Sequence, residues 1–264
     1  LQKYISSIFI FLFSHGNSVA QTKIVSWNIQ NFGSQKSPYI SLIANQLHDA
    51  DIVMIQEVQI DNDGKRAIEL LEIELEKSGN QWNSVISPPT NGRGTECYAY
   101  LWRSNKVSLQ NQAWLEMSLD KLIDREPFLA RFKSKNKSIL LANFHAVPKK
   151  KMPWFEIAEL DQLDKLYKKD NIIIAGDFNL EAYNRAFNEL KTDGFKAALS
   201  GIRTTIKMEE QNGEKFAHEY DNFIFEKEAI TVLKSGRIDF TSNFKNLQEA
   251  RKVSDHLPVY IILK

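Results

Sequence analysis

Cysteine is nearly absent from this 264-residue chain. Cys97 stands alone, so no intramolecular disulfide can form, and stability must come from the core with whatever a bound metal adds. An excess of charge of one sign is missing as well. Thirty-four basic side chains against thirty-three acidic ones leave a net +1, so bulk charge does not mark a polyanion binder, and any such site has to be a local patch. Long hydrophobic runs are also missing near the N-terminus, where the apolar stretch 5–13 is too short to span a bilayer. The chain shows no repeat of fixed short period, no low-complexity tract and no clear linker. Together with 43% hydrophobic and 25% charged residues, this fits one globular domain with a large core.

Lys3 precedes the 5–13 run, and a polar stretch then ends in Ser18-Val19-Ala20. This is the pattern of a secretory signal peptide over residues 1–20, with cleavage before Gln21. The expectation is an exported protein, periplasmic or secreted, whose domain covers residues 21–264 and has no stable membrane association after removal of the signal. An uncleaved anchor is the competing reading.

What the chain does have is a repeated device, an apolar strand with a polar residue at its exit. Residues 171–180 read as a strand buried on both faces that ends at Gly176 and presents Asp177 and Asn179 two residues apart, on one side of an extended chain. Gly176 is expected to let the backbone approach a ligand closely. An Asx-turn that merely caps the strand is the plainer reading of the same residues. Residues 23–28 and 51–57 repeat the pattern, ending at Asn28 and Glu57. Further strands are predicted at 82–86, 97–103, 128–132, 138–144, 222–225 and 258–263. Helices are predicted near 38–47, 65–77, 154–169 and 183–190. Strands mixed with helices throughout predict an α/β layered sandwich.

The strand exits collect Asn28, Glu57, Glu96, His145, Asp177, Asn179, Asp221, Asp255 and His256. Carboxylates, carboxamides and imidazoles without thiolates describe a hard-cation site for Mg²⁺, Mn²⁺ or Ca²⁺, not a structural zinc site. Such a site suits phosphoryl transfer to water. Taken singly, each histidine here is more often a satisfied core or surface residue, and the tryptophans and phenylalanines read as core. The Lys149-Lys150-Lys151 run reads as a solvated loop.

Trp27-Asn28-Ile29, Ile55-Gln56-Glu57-Val58, Asn143-Phe144-His145, Gly176-Asp177-Phe178-Asn179 and Ser254-Asp255-His256-Leu257-Pro258-Val259 occur in this order. Together they resemble the signature set of the endonuclease/exonuclease/phosphatase superfamily. Glu96-Cys97-Tyr98 leading to Leu101-Trp102-Arg103, with Arg125-Glu126-Pro127 and Tyr220-Asp221, brings the resemblance to its deoxyribonuclease I branch.

The resemblance, which spans residues 23–264, implies a four-layer α/β/β/α sandwich of two mixed β-sheets with helices outside. A phosphodiesterase site would lie across its top. By position it implies Glu57 as principal metal ligand, helped by Asn28 and Asp255, with Mg²⁺ as the cofactor and Mn²⁺ or Ca²⁺ as substitutes. Asp177 is implied to orient or activate the attacking water, and Asn179 to hold the phosphate. His256, oriented by Asp221, and His145, oriented by Glu96, would flank the scissile phosphate, while Arg125 would reach a phosphate oxygen. A carboxylate behind each imidazole fixes its tautomer and raises its basicity. Which histidine is acid and which is base stays open.

The implied substrate is DNA. The resemblance is incomplete at the residues that contact it, because Gln59, Gly94 and Gln30 stand where the branch has an arginine, a tyrosine and an arginine, and the branch's paired cysteines are missing. Arg93 is a candidate replacement contact. RNA, a sphingolipid headgroup or an inositol phosphate stay open as substrates, as does a non-catalytic secreted binding module.

Overall fold

The structure, a computed structural model, describes residues 21–134 and 137–264, so the signal peptide expected over 1–20 lies outside the described residues. In chain order the strands are β1 (Thr22–Phe32), β2 (Ile52–Val58), β3 (Trp82–Ile86), β4 (Cys97–Arg103), β5 (Val107–Leu109), β6 (Trp114–Leu115), β7 (Phe128–Ser134), β8 (Lys137–His145), β9 (Ile172–Asp177), β10 (Phe195–Ala197), β11 (Ile206–Gln211), β12 (Glu214–Phe216), β13 (Asp221–Glu226), β14 (Val232–Arg237) and β15 (Val259–Leu263). The α-helices are α1 (Ile40–Leu47), α2 (Asp61–Glu76), α3 (Trp154–Ala158), α4 (Asp161–Leu166), α5 (Asn188–Thr192) and α6 (Leu247–Ala250).

One sheet runs β14-β15-β1-β2-β4-β3 and the other β10-β13-β9-β8-β7-β5, with β6 on β7 and a separate β11-β12 hairpin. Each large sheet has a single parallel pair near its middle, β1 with β2 and β8 with β9, among antiparallel neighbours.

Strand alternation explains the layering. In β1 and β2, Val25, Trp27, Val53 and Ile55 join the cluster formed with α1 and α2, while Ile24 and Met54 face the other sheet. In β9, Ile173 and Ala175 face the first sheet, while Ile172 and Ile174 pack with Ile157 of α3, Leu163 of α4 and Leu190 of α5. Three apolar clusters therefore separate four layers, the α/β/β/α sandwich of two mixed sheets.

Several local expectations are corrected. The helix expected over 154–169 is two short helices, α3 and α4, with the break between residues 158 and 161. The one expected over 183–190 is a 3₁₀ turn, Arg185–Phe187, followed by α5. The strands β11, β12 and β14 escape a pattern search because their residues are largely exposed or half-buried and form no apolar run. Gly176 is required by the fold itself. Its φ is +147°, and a Cβ there would fall 1.8 Å from the Phe144 carbonyl oxygen on the neighbouring strand.

Candidate active site

The same alternation delivers the polar exits to one place. Asp177 has the parity of Ile173 and Ala175, His145 that of Leu141, Asp221 that of Phe223 and Phe225, and Asn28 that of Ile24, so all four turn into the space between the sheets. Register then aligns them. Asp177 pairs with His145 across the parallel β8/β9 ladder and with Asp221 across the antiparallel β13/β9 ladder. Glu57 has the opposite parity, shared with Ile55, and would face the helices. Its backbone is left-handed instead, at φ +60°, where the β2/β4 register shifts, and its carboxylate meets Asn28. A non-glycine residue held in this region carries strain of order 1–3 kcal/mol, a cost concentrated at functional sites.

Asp177 Oδ2 is the hub of the cluster. His145 Nε2 lies 3.4 Å from it, His256 Nε2 3.5 Å, Asn28 Nδ2 3.1 Å and Asn179 Nδ2 3.4 Å. Asp177 is 1% exposed. Its other oxygen, Oδ1, accepts the Asn179 backbone N–H at 2.8 Å, with Asn179 at φ +49°. The Asx-turn is therefore present, and it leaves Oδ2 facing the two imidazoles.

Each imidazole has a carboxylate behind it. His145 Nδ1 lies 3.0 Å from both Glu96 oxygens, and His256 Nδ1 lies 2.8 Å from Asp221 Oδ2. Behind those carboxylates stands a further shell. Thr204 Oγ1 donates to Asp221 Oδ2 at 2.6 Å, and Ser254 Oγ donates to the Asn28 carbonyl at 2.6 Å while accepting the His256 N–H at 3.0 Å. Tyr98 Oη accepts the His145 N–H at 3.2 Å. Gln56 Nε2 donates to Asn143 Oδ1 at 2.6 Å, joining the two sheets beneath the site. Ser254, Tyr98, Gln56 and Asn143 lie inside the recognised motifs without an assigned role. Thr204 lies in no motif, and only its pairing with Asp221 in space identifies it.

The family model of the Endonuclease/Exonuclease/phosphatase family matches residues 25–256, a span that contains every one of these residues. The chain belongs to this family. A deoxyribonuclease of Thioalkalivibrio sp. (strain K90mix) is 26% identical over 272 residues, covering 94% of this chain and 72% of that protein. Among solved structures, an endonuclease/exonuclease/phosphatase family protein from Bacteroides thetaiotaomicron superposes with a TM-score of 0.67 at 16% identity, over 92% of this chain and 97% of that one. Another from Leptotrichia buccalis C-1013-b gives 0.67 at 17%, over 92% and 99%. Members of the family hydrolyse phosphoester bonds and generally depend on a divalent metal.

The donor set of this member fits such an ion. Asn28 spends its amide nitrogen on Glu57 Oε1 at 3.0 Å and on Asp177, leaving Oδ1 buried without a partner beside the Glu57 carboxylate. Two oxygen donors side by side, one of them unsatisfied, suit a hard cation. Asp177, Asp221 and His256 also offer atoms within 4.8 Å of one another. In that trio Asp221 Oδ2 is engaged by His256 and Thr204, while its Oδ1 is buried without a partner, so this trio also keeps an open oxygen donor. Asp255 is turned toward Arg251, whose Nη2 lies 3.4 Å away, and among the described residues it makes no hydrogen bond to Asn28 or Glu57. Arg125 is 6% exposed and donates to Glu96 Oε2 at 2.8 Å and to the Ala146 carbonyl at 2.6 Å. With both terminal nitrogens spent inside, it stands behind the His145–Glu96 pair and not at the open phosphate position expected of it.

The charges reinforce one another. Burial alone would raise Asp177, but His256 and His145 hold it below the usual carboxylate range. Burial would likewise raise Glu96, and His145 with Arg125 keeps it low. Burial pushes Asp221 up. It disfavours the His256 imidazolium, yet Asp221 and Asp177 together raise that group well above the ordinary histidine value. Burial and Arg125 oppose a charged His145, and Glu96 and Asp177 prevail, raising it too.

Proposed function

We propose that the protein is an exported, metal-dependent deoxyribonuclease that hydrolyses DNA internally by in-line attack of water. The observation that carries the reading is the convergence of two carboxylate-backed imidazoles on Asp177 Oδ2, with an unsatisfied carboxamide oxygen and Glu57 beside it. The deoxyribonuclease relative supports DNA as the substrate, and the leader-like residues 1–20 support export. RNA or another phosphoester is the second reading. It is favoured by Gln59, whose amide donates to Asn31 Oδ1 at 3.1 Å where the branch has a groove-entering arginine.

Glu57 and Asn28 would hold the metal, Mg²⁺ in this reading, with Asp255 the remaining candidate ligand. Once bound, the ion supplies charge neutralisation at the phosphate. Asp177 accepts a hydrogen bond from the attacking water and aligns it. Asn179 is locked by its turn and donates one amide hydrogen to the Ala146 carbonyl at 3.0 Å. The other, aimed at Asp177 Oδ2 at only 3.4 Å, is the one that turns to a non-bridging oxygen. As the water oxygen bonds to phosphorus, its proton passes to one Nε2. The bond to the leaving oxygen breaks, and that oxygen takes a proton from the other Nε2. Glu96 and Asp221, with Arg125 and Thr204 behind them, each accept an Nδ1–H and so turn both Nε2 atoms to the cleft, one bare and one protonated.

The test is cleavage of supercoiled plasmid by the protein lacking residues 1–20, in Mg²⁺ or EDTA, beside His145→Ala and His256→Ala. Metal-dependent nicking that either substitution reduces by about 10²-fold or more is the expected result. No nicking, with a generic phosphodiester still hydrolysed, would discard DNA and keep the chemistry.

A further inference from the structure

The strand that ends at His145 continues into a segment that sets exposed lysines beside exposed aromatic rings. Lys149, Lys150 and Lys151 form an exposed 3₁₀ turn, Met152 reverses the chain at φ +63°, and Trp154 and Phe155 open α3 at 37% and 62% exposure. Composition alone puts the lysines in a solvated loop and the aromatics in the core, but Trp154 and Phe155 do not join it. Their rings sit 6.0 Å apart and lie against each other.

The segment is firmly based. The buried Glu156 carboxylate accepts the Val147 and Asp124 backbone N–H groups, each at 2.7 Å, and so ties α3 to the stretches that carry His145 and Arg125. It also abuts the catalytic loop, since Lys149 Nζ lies 3.9 Å from Glu181, two residues beyond Asn179. Among the described residues Lys150 and Lys151 have no ion-pair partner, so two ammonium groups are free next to Lys149. Exposed aromatic rings next to free ammonium groups match the two halves of an unpaired nucleotide, its base and its phosphate. A closed duplex stacks its bases inside and offers such rings nothing.

We propose that residues 149–155 are a platform for single-stranded nucleic acid leading to the scissile bond. The lysines take flanking phosphates, Trp154 and Phe155 stack on unpaired bases, and single-stranded or locally opened DNA is bound in preference to closed duplex. The ligand's identity rests on the nuclease reading above. The platform stands in for the missing groove contacts at Gln59 and Gly94, because a protein that holds unpaired bases has no groove to enter.

The test uses the parent protein, a Lys149→Ala/Lys150→Ala/Lys151→Ala variant and a Trp154→Ala/Phe155→Ala variant. All three should hydrolyse bis(p-nitrophenyl) phosphate alike, which shows the fold and the chemistry intact. Binding is measured in EDTA with fluorescein-labelled oligothymidylate, a matched duplex, and phosphatidylserine–phosphatidylcholine vesicles. The aromatic variant should lose oligothymidylate affinity on the order of 10- to 100-fold while duplex affinity changes little. The lysine variant should flatten the slope of log affinity against log salt by about 2. Unchanged oligothymidylate affinity in both variants overturns the proposal, as does an equal loss on duplex. Vesicle binding that depends on Trp154 and Phe155 while oligothymidylate binding does not would overturn it in favour of a lipid surface. Because binding needs no turnover, a parent that binds oligothymidylate through this segment but cuts no DNA supports the platform and sinks the nuclease reading alone.

Discussion

Asp177 Oδ2 lies 3.5 Å from His256 Nε2, and His145 Nε2 approaches the same oxygen at 3.4 Å. One carboxylate therefore governs both imidazoles, and the isosteric Asp177→Asn isolates its charge. Cleavage should fall by about 10²- to 10⁴-fold. Both histidines should also titrate at lower pH than in the parent when followed by NMR, since Asp177 raises each of them. Unmoved titrations would show that the three groups do not share a field.

The same shifts set the pH dependence of stability in metal-free protein. Glu96 and Asp177 have folded values below the unfolded ones of about 4, so their contribution is present above that value and is lost as pH falls through the folded ones. His145 and His256 are raised, so theirs is present below about pH 6.5 and is lost as pH rises through the folded values. Asp221 and Glu156, raised by burial, oppose the carboxylate gain above about pH 4. The clear expectation is therefore a Tm in EDTA that declines as pH rises above about 6.5. His256→Ala should blunt the alkaline decline, and an unaltered decline would place its source elsewhere.

Metal binding can be read apart from turnover. Calorimetric titration with Mn²⁺ should show Glu57→Gln weakening affinity by about tenfold or more, because the neutral amide keeps the shape and removes the charge. Asp255→Asn should change it less, since that carboxylate is turned to Arg251. Equal losses would make Asp255 a ligand of the same rank.

Gly176→Ala should destabilise by about 3 kcal/mol or more in urea unfolding, well beyond the roughly 1 kcal/mol scale of an ordinary point substitution. The added carbon would need to displace the Phe144 carbonyl oxygen 1.8 Å away, and the residue would sit at φ +147°. A small change would mean that β8 and β9 part easily at the site.

Much of this architecture is local information. The runs that became β2 and β9 are uninterrupted apolar stretches closed by a polar residue, and burial on both faces demands that composition. Where an element is exposed, the signal fades, as in β14, whose Lys234, Ser235 and Arg237 follow no apolar period. Trp154 and Phe155 mislead for the converse reason, because residue type records hydrophobicity and not the direction in which it points.

The sequence by itself determined which chemistry-bearing residues stand at strand ends, in what order, and hence the family and its phosphoester chemistry. Strand periodicity and strand termination are properties of a few neighbouring residues, so they survive in one dimension. Only the tertiary structure decided that Asp177 is the meeting point, that Thr204 stands behind Asp221, and that Arg125 is buried behind Glu96. Asn28 and Asp177 are 149 residues apart and touch at 3.1 Å because two sheets in fixed register close on each other. No local pattern contains that distance.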